Sequence, residues 1–438
     1  MLRPLRRYLR PMAGAAGAGM TVAALQMLMV VLAARMLGVG QYGVFALALG
    51  LANLLAELGT LGLPVLANRV LARYDAQARR ARIAAFIAQG DRVFARIAVL
   101  LVAGLSVSAL ATDHLSRTLQ GDALADGVLI AALFLPGVLF RLARRHQLSG
   151  LGRPALAAVV ETGLAATAGI AAVLAGGGLV ALALAYAAGS LAGVALAGRI
   201  ITQHVGAEAM QVSRAKPDPR LSRAWRRAAL PMWLAAGGTA LFGRVDLVML
   251  GPLTDTVQVG LYAAAVRLTY LIGVVAQIGL PIFWPLIARE TARAPETNGA
   301  TSATPARKAD LLYLTTTGTI AAIGGAVLWA ASTPVTLLIF GPEYADAAPI
   351  LRILCVAQVS ATLVTALTGT LLMRGQGRRY APVMLGGLGL AITLNLLLIP
   401  YWGALGAAWA TLATSLAMLV ALTLKVSLHS PPRSQERP

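Results

Sequence analysis

The stretches "GVFALALGLANLLAELGTLGLP" (residues 43–64) and "GLYAAAVRLTYLIGVVAQIGLP" (260–281) carry one pattern twice in the same chain. Eight of the 22 aligned positions are identical, and both copies end on Gly-Leu-Pro, at Gly62 and at Gly279. A Met-Leu-Gly precedes each, at Met36–Gly38 and Met249–Gly251. A second pair follows in the same order: "GLGR" (150–153) with "GQGR" (375–378), then Gly178 with Gly403, then "SLA" at 190–192 and at 415–417. The offsets, 217 and 225, are close to half of the 438 residues. The chain therefore reads as one unit written twice, and each copy is an apolar run of the ~20 residues that cross a bilayer as a helix.

Composition agrees. Hydrophobic residues make up 58% of the chain and charged residues 12%, with a mean hydropathy of +0.75. A soluble domain carries about 25% charged residues. The apolar runs do not alternate as barrel strands do, so the expected fold is an all-α polytopic membrane protein. Twelve spans are expected, near 13–34, 44–64, 93–112, 124–143, 155–175, 179–199, 229–250, 260–285, 311–331, 350–373, 381–400 and 403–425. The basic start before the first run resembles a signal peptide, but the run is long for a cleaved core and reads as a retained span. Residues 1–200 and 229–438 then form two six-helix lobes. The segment 201–228, with "SRAKPDPRLSR", reads as a basic cytoplasmic linker. An even number of spans per copy makes the repeats parallel, with a pseudo-twofold along the membrane normal and a central cavity suited to alternating access.

The net charge of +20 is a matter of sidedness and not of nucleic-acid binding. Of 37 Lys and Arg, 32 fall in the N-terminus, the even-numbered loops and the C-terminal tail; Arg35, Arg117 and Arg352 lie in odd-numbered loops, and Arg244 and Arg267 within spans. The positive-inside rule places both termini in the cytoplasm. One cysteine, Cys355, excludes an internal disulfide, and four scattered His give no metal spacing. No Walker motif is present, so no ATPase is built in. The outer loops are too short to host an enzyme's catalytic domain.

Charges and polar residues inside spans are the candidate site, since each costs at least ~2.5 kcal/mol in lipid. "GRVDLVMLG" (243–251) puts Arg244 and Asp246 in span 7. Counted along continuous helices, Asp246 and Arg267 lie at similar depth on neighbouring spans, which suggests an ion pair. Arg244, about 200° round the helix from Asp246, is then left to face a cavity. In span 8, Arg267, Tyr270 and Gln277 share one face; in span 2, Asn53, Glu57 and Thr60 do the same. Under the repeat, Asn53 matches Tyr270 and Thr60 matches Gln277. Interhelical hydrogen bonding is the plainer reading of such stripes. Glu57 and Glu161 sit toward the cytoplasmic ends of their spans, and two roles stay open for them: coupling, or buried pairing with a loop arginine. Gln26 and Asn395 read as packing contacts.

"ARMLGVGQYGVFALALG" (34–50), "GRVDLVMLGPLTDTVQVGLYAAAVRL" (243–268) and "FGPEYADAAPILRILCVAQ" (340–358) resemble corresponding segments of the bacterial oligosaccharide-lipid (polysaccharide) flippases, the Wzx-like family. That family belongs to the superfamily that also holds the multidrug (MATE) exporters and the lipid II flippases. The resemblance implies a MATE-like fold and translocation of an undecaprenyl-diphosphate-linked glycan across the bacterial inner membrane. It further implies a role in O-antigen, capsule or exopolysaccharide assembly, beside a glycan polymerase and export machinery. No cofactor is expected, and coupling would be to protons, sodium or the membrane potential. On this reading Arg244 and Arg267 meet the diphosphate, Asn53, Tyr270 and Gln277 the sugars, and Asp246, Glu57 and Glu161 serve coupling or ion pairing. A multidrug exporter of the same superfamily is the main alternative. A membrane glycosyltransferase or polymerase fits the short outer loops poorly.

Overall fold

The structure, a computed structural model, describes residues 3–116, 122–215, 219–270, 272–273, 304–373 and 377–427. Among these the chain is helical, with short turns and no strand. Lipid offers the backbone no partners, so each crossing must close its own hydrogen bonds. The first copy of the repeat holds α1 (Arg3–Gly59), α2 (Leu63–Ala76), α3 (Arg80–Ser116), α4 (Asp122–Gly150), α5 (Pro154–Ala158), a π-helical turn (Val159–Gly163), α6 (Leu164–Leu174) and α7 (Leu179–Val205). Two helices follow, α8 (Ala207–Ala215) and α9 (Pro219–Phe242). The second copy holds α10 (Val245–Leu253), α11 (256–270), α12 (Thr304–Ala330), α13 (Ser332–Phe340), α14 (Ala347–Met373) and α15 (Gly377–Ser427).

Eight described helical stretches are long and apolar enough to cross a membrane. Two of them, Gly17–Gly59 with 43 residues and Pro382–Lys425 with 44, would be about 65 Å long at ~1.5 Å per residue, twice a ~30 Å hydrocarbon core. Each is therefore two crossings joined at a single glycine corner, Gly38 (φ 76°) in α1 and Gly403 (φ 54°) in α15. A positive φ is open to glycine without a Cβ clash, so the expected loops 35–43 and 401–402 shrink to one residue each. Other boundaries shift likewise. The expected single span 229–250 is broken by a turn at Gly243–Arg244 into α9 and the nine-residue α10. The expected loop Arg141–Arg153 is helix as far as Gly150. The expected linker 201–228 is mostly α8 and the start of α9. Trp225 of α9 packs edge-on against Phe86 at 5.1 Å, with its indole N–H 3.4 Å from the Tyr74 hydroxyl.

The chain forms two compact units. The first comprises residues up to Arg244 with Asp255–Gly260; the second comprises Val245–Thr254 and the chain from Leu261 onward. In the first, α4 lies against α1, α3 and α7, and α6 against α7. Phe45, Phe134 and Tyr186 meet at ring distances of 5.2–5.9 Å at its centre. Small residues permit the close approaches that lipid-embedded helices rely on: a Cβ at Gly189 would sit 2.5 Å from the Leu164 carbonyl oxygen. In the second unit, α15 lies against α14 and α10, and α12 against α14.

The Gly-Leu-Pro motif has a structural reason. Gly62 adopts φ 72°, and Pro64 falls in the first turn of α2, where its missing N–H costs nothing. A Cβ at Gly62 would meet Ala229 and Trp233 of α9, and the Trp233 indole donates to the Leu58 carbonyl at 2.7 Å. The second motif, at Gly279, lies outside the described residues.

The opening residues of the two repeat copies touch. A Cβ at Gly43 would run into the Thr256 carbonyl, and one at Gly260 into the Val39 carbonyl, all within the first unit. Gly43 and Gly260 are repeat equivalents, as are Val39 and Thr256, so the contact is reciprocal in the manner of an isologous interface. Gly43→Val or Gly260→Val should lower stability by ~1–3 kcal/mol or more through overpacking. Gly104→Ala, where a Cβ meets open space, should not lower it. Thermal unfolding of the detergent-purified variants by fluorescence-detected size exclusion checks both.

Candidate functional site

α1 ends beside four charges. Glu57 stands one turn from the end of α1, and its carboxylate lies in the attractive fields of Arg244 and Arg145 and the repulsive field of Glu161. Arg145 of α4 makes an ion pair with Glu161. Glu161 belongs to the π-helical turn Val159–Gly163, an irregularity that recurs at functional sites. The cluster thus joins α1, α4, the π turn and the Gly243–Arg244 turn, all within the first unit. Of the residues expected from sequence, Glu57, Glu161 and Arg244 come together here. Glu161 thus pairs with an arginine of the expected loop, and the pair is accessible where the expectation had it buried.

Asn53 and Thr60, expected to share the polar face of Glu57, turn to the backbone instead. The Asn53 amide donates to the Leu49 carbonyl at 2.6 Å, and the buried Thr60 hydroxyl donates to the Glu57 carbonyl at 2.8 Å. Asn53 is half-buried and serves its own helix.

Arg145 is absent from the expected site because it falls between the expected spans 124–143 and 155–175, whereas α4 continues to Gly150. The available signal was the spacing of Arg141, Arg144 and Arg145, at i, i+3 and i+4 directly behind an apolar run. α4 uses the three differently. Arg141, 4% exposed, donates to the Tyr186 and Ser190 hydroxyls at 3.1 and 3.4 Å and lies 5.6 Å from the Tyr186 ring centre. Arg144, 8% exposed, pairs with Asp91 of α3 at 2.8 Å and donates to Gln147 at 2.7 Å. Asn68 of α2 donates to His146 Nδ1 at 2.9 Å. Arg141 and Arg144 are spent on packing. The Arg145 side chain, 44% exposed, remains accessible.

The second unit holds Asp246, Arg267 and Tyr270. The expected Asp246–Arg267 ion pair is not formed. Asp246 accepts hydrogen bonds from the fully buried Tyr262 hydroxyl of α11, from Thr411 of α15 at 3.3 Å, and from the Leu247 backbone N–H at 2.8 Å. The reason is the helix break. Asp246 stands in the first turn of a new helix, where backbone N–H groups and the dipole favour a carboxylate, and depth counted along a continuous span 7 does not apply. Arg267 instead lies 5.7 Å from the ring centre of Tyr270, within cation–π range. Arg267 is half-buried and Tyr270 is 52% exposed. Gln277 lies outside the described residues.

A cavity of about 860 Å³ opens in the first unit next to the Gly38 corner, lined by Gly40, Gln41, Val44, Asp126, Leu184 and Thr256 among others. It contains none of the expected site residues. Among the described residues no group of three or more His, Cys, Asp or Glu is placed to hold a metal.

The Asp246 contacts are testable by double-mutant cycles on thermal stability. Asp246→Asn and Tyr262→Phe should couple by ~0.5–3 kcal/mol, whereas Asp246→Asn and Arg267→Gln should add to within about 0.5 kcal/mol.

Comparison with known proteins completes the picture. The family described as polysaccharide biosynthesis protein matches residues 13–289. No curated protein sequence matches the chain. Among solved structures, a multidrug resistance MATE family transporter of the MOP superfamily in its inward-facing conformation superimposes with a TM-score of 0.68 at 14% identity, covering 95% of this chain and 98% of that one. The lipid II flippase MurJ, inward closed, gives 0.64 at 13% identity over 94% and 87% of the two chains. The eukaryotic MATE transporter AtDTX14 gives 0.64 at 16% identity over 97% and 96%. The fold is that of the MATE transporters, and with a match over more than half of its length the chain belongs to the polysaccharide biosynthesis protein family.

Proposed function

We propose that this multi-pass membrane protein is a flippase that carries an undecaprenyl-diphosphate-linked oligosaccharide from the inner to the outer leaflet of the bacterial inner membrane. It acts by alternating access, without chemistry on its cargo, and with both termini in the cytoplasm. The product would feed O-antigen, capsule or exopolysaccharide assembly together with a polymerase and export machinery. The observation that carries this reading is an accessible arginine, Arg145, paired with Glu161 of the π turn, in a polysaccharide biosynthesis family protein. A diphosphate asks for guanidinium, whose planar fork matches phosphate oxygens in pairs. Taken by itself, the second unit offers a cation and an apolar face suited to a sugar in Arg267 and the exposed Tyr270 ring. The energy need not come from a bound cofactor. An inside-negative potential favours outward movement of an anion by ~2.3 kcal/mol per charge per 100 mV, and Glu57 or Asp246 would carry any proton or sodium coupling.

The second reading, a multidrug exporter, draws on the same cluster, because Glu57 and Glu161 would suit a cationic cargo. Deletion of the gene separates the two. The flippase reading expects undecaprenyl-linked repeat units to accumulate on the inner leaflet and surface polysaccharide to fall. Unchanged surface polysaccharide with heightened sensitivity to cationic drugs would install the exporter in its place. In the complemented strain, Arg244→Ala should cut surface polysaccharide at least tenfold at unchanged membrane level; full complementation would remove Arg244 from the site.

A further inference from the structure

Arg145 and Arg244 do not stand alone. Glu57 and Glu161 share their field, so the four formal charges cancel. A diphosphate arriving at Arg145 has to replace the carboxylate that pairs with it, Glu161, and the contrast with the neighbouring Arg144–Asp91 pair marks this one as accessible. Asp91 is bound to the buried Arg144, with side-chain exposures of 9% for the arginine and 19% for the aspartate. The Arg145 and Glu161 side chains are 44% and 31% exposed, open to an incoming ligand. An ion pair exposed on this scale is weak, and a diphosphate offers Arg145 a bidentate, more highly charged partner than one carboxylate oxygen. Glu161 also sits on the π turn, whereas Asp91 lies within the regular helix α3.

We propose that Glu161 is a stand-in anion: its carboxylate occupies Arg145 when no cargo is bound, and the diphosphate of the lipid-linked substrate takes its place. This rests on the flippase reading and assigns two further residues to it, Arg145 as a headgroup contact and Glu161 as the residue that sets affinity and release. Arg145 without a counter-ion would hold the diphosphate too tightly to let it go, so Glu161 trades affinity for turnover.

The test is binding to the full-length protein in nanodiscs, with undecaprenyl diphosphate and inorganic pyrophosphate as separate probes. Glu161→Gln should bind undecaprenyl diphosphate roughly tenfold more tightly and support less polysaccharide export in cells. Arg145→Gln should bind it roughly tenfold more weakly, with partial recovery in Arg145→Lys. The gain from Glu161→Gln should vanish in the Arg145→Gln background, an outcome that a merely structural ion pair would not produce. A gain for both probes supports exchange at a site that reads diphosphate itself; a gain for the lipid alone supports exchange that also needs the carrier. Unchanged affinity of Glu161→Gln for both probes overturns the proposal, and should that variant fail to fold, Glu161→Asp, which withdraws the carboxylate by one methylene, must show the same direction. Wild-type protein that binds neither probe would instead overturn the flippase reading.

Discussion

Everything in this fold follows from one constraint: in lipid a backbone N–H or C=O finds no water, so the chain must turn without leaving helical hydrogen bonding for long. The solution here is the single-residue corner. Gly38 and Gly403 each break an otherwise continuous helical stretch of more than forty residues at one position. Between α1 and α2 a three-residue turn, 60–62, ends on Gly62 at φ 72°, with Pro64 in the first turn that follows. Corners this short leave little room for loops, and residues that would be solvated in a soluble helix bundle are drawn into the helices and between them.

The arginines of α4 show what that does to charge. A guanidinium taken from water must be paired or hydrogen-bonded in place. Asp91 serves for Arg144; for Arg141, two hydroxyls and the Tyr186 ring serve. Both are thereby tied to α3 and α7 and, at 8% and 4% exposed, are closed to a ligand. Arg145 differs by one residue in position and faces a partner that is itself accessible. Three like residues at i, i+3 and i+4 share one side of the helix and yet divide into two that hold the helix and one that can exchange its partner; the neighbours each one meets make the division.

The repeat and the all-helical class were legible because they are properties of pattern: apolar length, and identities at a constant offset. Their geometric counterpart is the reciprocal crossing of Gly43 and Gly260, 217 residues apart. Side-chain pairing was less legible. Arg145 was hidden by a rule of averages, since the positive-inside count treats every arginine near a span end as solvated. Arg267 comes level with Asp246 only on an unbroken helix, and nothing in a one-dimensional count reveals a break at Gly243. The partners that Asp246 does take, Tyr262 and Thr411, come from α11 and from a helix more than 150 residues away.

The break at Gly243–Arg244 explains why two opposite charges two residues apart are tolerated. Aligned on Met-Leu-Gly, the first copy places Val31 and Ala33 opposite Arg244 and Asp246, and there α1 runs unbroken, with Ala33 fully buried. The fold therefore requires neither the charges nor the break. On one continuous helix, Arg244 and Asp246 would point about 200° apart, and one of them would lack a polar environment. The turn removes that conflict. Asp246 becomes a first-turn residue of α10, satisfied by its own backbone and by the hydroxyls of the second unit. Arg244 remains in the turn, counted with the first unit, where its charge acts on Glu57. Charge and break belong together, and their presence in only one copy of the repeat marks this segment as the place where the second copy was adapted to a task that the shared fold does not impose.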